Sequence, residues 1–82
     1  MDTDNRLLFL KRVYDEASGD QTKQVNAATI ASVLDMDEQD LRKVTHYLAG
    51  EHLIVASVVL HSIPTFVTIT HAGIKAVEAG TL

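Results

Sequence analysis

Gln39, Arg42, Lys43 and His46 follow one another at steps of three, one and three residues, so on a helix all four project from one side. Their types suit one chemistry. Arginine and lysine donate to guanine O6 and N7 or to phosphate oxygens, glutamine pairs with the adenine edge, and imidazole both donates and accepts. Lys23 and Asn26, earlier in the chain, are of types that hold phosphate. Together these residues address double-stranded DNA. Their surroundings oppose it. From Leu34 to Ile54 five acids (Asp35, Asp37, Glu38, Asp40, Glu51) face two bases (Arg42, Lys43), a local net charge of −3. A DNA-reading surface ordinarily concentrates positive charge. The acids have a structural role open to them, because carboxylates at a helix start satisfy free N–H groups and favour the dipole, each by about 0.3–1 kcal/mol.

Other chemistries find less support. His46, His52, His61 and His71 are spaced by six, nine and ten, which matches no helical pair and no zinc pattern. There is no cysteine, no nucleophile-elbow sequence and no phosphate-cradling glycine loop. Neither catalytic residues, metal nor cofactor are expected, and the chain does not read as an enzyme.

The elements that must position the polar face follow from apolar spacing. A first helix is predicted over Asp4–Ser18, with Leu7, Leu10, Tyr14 and Ala17 as its stripe and Leu8, Phe9 and Val13 widening it. Lys11 with Asp15 and Arg12 with Glu16 form i,i+4 pairs on its solvated side. Gln24 and Val25 suit a short extended stretch before Asn26, an N-cap for a helix over Ala27–Leu34 that turns Ile30, Val33 and Leu34 inward. Asp35-Met36-Asp37 is the turn. Asp37 caps the next helix, which buries Leu41, Val44 and Leu48, presents Glu38, Gln39, Arg42, Lys43, Thr45 and His46, and stops at Gly50.

Leu53–Leu60 is rich in β-branched residues and short, hence a strand; His61-Ser62-Ile63-Pro64 is a turn, and Thr65–Thr70 returns. A turn centred between Ser62 and Ile63 pairs Leu60 with Thr65, Val58 with Val67 and Ala56 with Ile69 over the core. Val59 with Phe66, Ser57 with Thr68 and Val55 with Thr70 then face outward. Val59 and Phe66 make an exposed apolar pair, a candidate protein contact. Thr70 caps a last helix, Ala72–Ala79, closed by Gly80.

Eighty-two residues, 46% hydrophobic and 22% charged, allow one globular domain over 1–82 that buries roughly 60–65% of its unfolded surface. A net charge of −4 repels nucleic acid at long range. The acidic start, Met1-Asp2-Thr3-Asp4, is the opposite of a signal peptide's, and Leu53–Leu60 is far short of a membrane span. A cytoplasmic location without membrane contact is the expectation.

In Tyr47–Ile54, YLAGEHLI, and Ile69–Gly80, ITHAGIKAVEAG, the chain resembles the winged helix-turn-helix superfamily of small bacterial and archaeal transcription regulators, with a layout similar to MarR-like proteins. The resemblance spans roughly residues 4–80. It implies a mainly α fold with a small antiparallel β-hairpin: a three-helix core, a wing hairpin and a C-terminal helix. It implies a transcriptional regulator that binds DNA through Gln39, Arg42, Lys43 and His46. Two copies would double the phosphate contacts, which makes a homodimer the expectation, with Leu8, Phe9 and Val13 of the first helix as its surface. Three departures stand out. Family members usually place glycine directly before the Leu-Ile pair, where this chain has His52. Their wings usually carry Arg or Lys, absent here from Glu51 to Gly73. Their recognition helices are usually neutral or basic at the leading end, where this chain's first turn is acidic. The departures favour an alternative: an acidic winged-helix module that binds protein rather than DNA.

Overall fold

A computed structural model describes residues 3–57 and 66–80. It comprises α1 (Thr3–Ala17), β1 (Val25–Asn26), α2 (Ala27–Val33), α3 (Glu38–Gly50), β2 (Ile54–Ser57), β3 (Phe66–Ile69) and α4 (His71–Ala79). The described part is thus mainly helical, with a small antiparallel sheet in the order β1-β3-β2. No described helix is long and apolar enough to cross a membrane.

Three helix starts are fixed by the same device, a side-chain oxygen accepting from the backbone N–H three residues on. Asn26 Oδ1 accepts from Thr29 at 3.1 Å, Asp37 Oδ1 from Asp40 at 2.8 Å and Thr70 Oγ1 from Gly73 at 3.0 Å. Each such cap contributes about 1 kcal/mol. Three helix ends share a second device, in which a left-handed residue reverses the chain. Ser18 (φ 53°), Asp35 (φ 57°) and His52 (φ 61°) hold those positions. The residue after each donates back across the last turn: Gly19 to the Tyr14 carbonyl, Met36 to Ala31 and Leu53 to Leu48, at 2.8–3.0 Å. Gly50, expected to stop α3, is instead its last helical residue, and the reversal falls at His52.

The core joins Phe9, Leu10, Val13 and Ala17 of α1 to Ala27, Ile30 and Ala31 of α2, Leu41, Val44 and Leu48 of α3, and Val25, Ile54, Val67 and Ile69 of the sheet. Helix α1 packs against β3, α3, α4, α2 and β1. This central place corrects the predicted stripe. Phe9 and Val13, expected at a dimer surface, are fully buried, while Leu7 and Tyr14 are half-buried and Leu8 alone is exposed. The surface proposed for dimerisation on α1 therefore does not exist as drawn. At the margin, the Tyr14 hydroxyl donates to Glu78 of α4 at 3.3 Å, and the Glu78 carboxylate raises the Tyr14 pKa above its ordinary value. The expected Lys11–Asp15 and Arg12–Glu16 pairs are not closed; among the described residues the ion pair is Arg42–Glu38.

Val33 is likewise corrected, being 53% exposed. A helix turns about 100° per residue, so Val33 lies roughly 110° from the centre of the face formed by Ala27, Ile30, Ala31 and Leu34.

In the sheet, Ile54 pairs with Ile69, Val55 with Thr68, Ala56 with Val67 and Ser57 with Phe66. Each partner stands two residues from the expected one, and an even slip leaves every side chain on its predicted face. Ile54, Val67 and Ile69 are buried as that alternation requires, and Val55 and Phe66 are exposed. The pairs Val59 with Phe66 and Val58 with Val67 are replaced; Val58, Val59 and the turn at His61-Ser62-Ile63-Pro64 lie outside the described residues.

Candidate functional site

Helix α3 carries two faces roughly opposite each other. Leu41, Val44 and Leu48 are buried, whereas Gln39, Arg42, Lys43 and His46 are all exposed. The sequence-derived polar face is therefore one surface. One member of the broader set moves: Thr45 is 2% exposed. At about 100° per residue it stands roughly 65° from the centre of the buried stripe, beside that stripe and away from the polar face. Its hydroxyl donates to the Leu41 carbonyl at 2.8 Å and lies 3.1 Å from that of Arg42, so it is satisfied without solvent.

The electrostatics of this face are mixed. Arg42 Nη2 lies 3.7 Å from Glu38 Oε1, one turn earlier on the same helix, with both side chains well exposed. Such a pair contributes little to stability in water. Asp37 is occupied as the helix cap, and Asp35, Asp37 and Glu38 rim an open groove between α2 and α3 floored by Ala31, Met36 and Leu41. At the other end of α3, Arg6 of α1 lies over the Tyr47 ring, 3.9 Å from its centroid, a contact not anticipated in sequence.

Lys23 and Asn26, the candidate phosphate residues, do come together: both line a second open groove with Glu16, Gln24 and Thr29. Lys23 is exposed. Asn26 commits its carbonyl oxygen to the α2 cap, leaving its amide N–H groups for another partner. The loop before them is held by Asp20, which accepts from the Thr22 hydroxyl at 2.6 Å and the Thr22 N–H at 2.8 Å. Those bonds lower the Asp20 pKa below its ordinary value.

What the sequence missed is the place of β1. Val25 pairs with Val67 and Asn26 with Phe66, so Asn26, Phe66 and Val55 share the outer face of one sheet. A polar candidate and an apolar candidate, read as parts of rival surfaces, are cross-strand neighbours. Two extended residues carry no periodicity that names a partner strand, so spacing offered no signal for this. His46, His52 and His71 are exposed, and no group of three or more His, Asp or Glu among the described residues is placed to hold a metal ion.

The described fold is thus a mainly helical protein with a three-stranded antiparallel sheet, presenting one polar helix face and one mixed sheet face. Compared with known proteins, the chain matches no family model, no curated protein and no solved structure.

Proposed function

We propose that this chain is a winged helix-turn-helix protein that binds double-stranded DNA, acting as a dimeric transcriptional regulator. The observation that carries the proposal is the exposed α3 face of Gln39, Arg42, Lys43 and His46, set opposite a fully buried stripe of the same helix. A helix anchored by its back, with donors along its front, has the form that enters a major groove. The order α2, turn, α3, then two antiparallel strands supports the same reading, with β2 and β3 as the base of the wing. Lys23 and Asn26 line one groove and supply phosphate contacts. Dimerisation is motivated by charge: α3 offers only Arg42 and Lys43 as bases, and two copies double the contacts.

Titration of a generic duplex at low salt tests this directly. Binding is expected, weakening with salt, and Arg42→Ala with Lys43→Ala is expected to lower the slope of log K against log salt by about 2. Unchanged affinity in that variant sinks the role of α3. A second reading is favoured by one observation: Val55 is 63% and Phe66 40% exposed on the same sheet face. On that reading the module docks a protein through Phe66. Loss of a protein partner on Phe66→Ser, in a chain that binds no duplex, would select it.

A further inference from the structure

The acid at the front of α3 opposes DNA only if it faces phosphate. Its geometry points elsewhere. Glu38 sits one turn before Arg42 on the same exposed side, at 3.7 Å, beyond the length of a close charge-assisted hydrogen bond. With side chains 70% and 63% accessible, the two are held only weakly by each other. A neutral pair gains little from a phosphate, which attracts Arg42 and repels Glu38. A G·C pair offers both what they lack. Guanine presents the acceptors O6 and N7 for the guanidinium, and cytosine presents its N4 amino donor for the carboxylate. Four residues along a helix advance about 6 Å, so the two side chains meet one base pair or adjacent ones.

We propose that Glu38 is a specificity-determining residue of this interface, accepting from a cytosine amino group while Arg42 donates to guanine. This rests on the DNA-binding reading of α3. Glu38 thereby does two things at once: it suppresses attachment to arbitrary sequence, and it rewards a site rich in G·C at the position α3 covers. Of the acids that open the helix, Asp37 serves as its cap and Glu38 serves selectivity.

The test uses the full chain and Glu38→Gln, which keeps length and helix preference while removing the charge. A duplex is first selected from a randomised pool with the wild-type protein. Affinities for that duplex and for a random-sequence duplex are then measured across salt for both proteins. The expected result is a cytosine or guanine preference in the selected site. The variant should bind random duplex about tenfold more tightly, with a salt slope steeper by about 1, while its preference for the selected duplex falls at least tenfold. An equal gain for both duplexes would overturn the proposal, showing Glu38 to be a repelling charge alone. No change for either would overturn it too, leaving an idle surface pair. If neither folded protein binds any duplex at low salt, the DNA-binding reading itself falls, and the role of Glu38 with it.

Discussion

The two ends of α3 are built by opposite means. Its start is local and wet: Asp37 caps it, Glu38 pairs loosely with Arg42, and the flanking acids are exposed or half-exposed. Its far end is a junction of distant chain segments. The His52 carbonyl accepts from the Thr70 hydroxyl at 2.6 Å, the Leu53 carbonyl accepts from the Thr70 N–H at 3.1 Å, and α4 begins against that carbonyl at Gly73. Substitution should therefore cost little stability at the front of α3 and much at its back. A surface free to change its chemistry is carried by an anchor that is not.

The largest effect is expected at Gly73. A β-carbon there would overlap the Leu53 carbonyl oxygen and stand 2.8 Å from Ile69 Cγ1. Neither neighbour is a flexible tip, since one is backbone and the other is a buried core side chain. Gly73→Ala is expected to lower unfolding stability by about 2–3 kcal/mol, the upper part of the range for overpacked cores, as read by urea denaturation. A loss under about 0.5 kcal/mol, the scale of an ordinary surface change, would show the junction to be as permissive as the front.

At the front the expected loss is smaller. Asp37→Ala removes the acceptor for the Asp40 N–H and should cost about 1 kcal/mol. The same denaturation series checks it. A loss equal to that of Gly73→Ala would erase the contrast between the two ends.

The contrast also explains what the sequence disclosed. The caps at Asn26, Asp37 and Thr70 and the buried stripe of Leu41, Val44 and Leu48 depend on residues within one turn of each other, so local spacing exposes them. The four-residue polar face of α3 follows from the same periodicity. Helix α1 was harder, because Leu7 to Leu10, Val13 and Tyr14 form an apolar arc wider than one neighbour needs. Which part is buried depends on the several elements that enclose the helix. Strand register was hidden for another reason: a slip of two leaves every face unchanged, so alternation cannot detect it. The pairing of β1 with β3, which sets Asn26 beside Phe66, rests on two residues and a partner forty positions away. The close approach at Gly73 is likewise a contact between segments twenty residues apart. Its glycine was visible, but its reason was not.

The smallest effects sharpen the comparison at one point, the placement of glycine at the end of α3. Gly50 lies inside the helix with open space where a β-carbon would go, while His52, two residues on, adopts the left-handed conformation at φ 61°. The residue most tolerant of that conformation is thus two positions early. An L side chain in the left-handed region costs about 1–2 kcal/mol, and a helical glycine about 0.5–1 kcal/mol relative to alanine. His52→Gly gives back part of its gain through the freer unfolded chain, so it is expected to stabilise by about 1 kcal/mol, and Gly50→Ala by about 0.5 kcal/mol. Both are read as shifts of the denaturation midpoint at constant slope. His52 donates its N–H to Ala49 and accepts from Thr70 through backbone atoms alone, so glycine keeps both bonds. The opposite pattern, with Gly50→Ala destabilising and His52→Gly neutral, would mean that the chain reverses at Gly50, the stop its sequence suggests, and not at His52. The anchor at Thr70 and Gly73 would then hold a differently shaped turn.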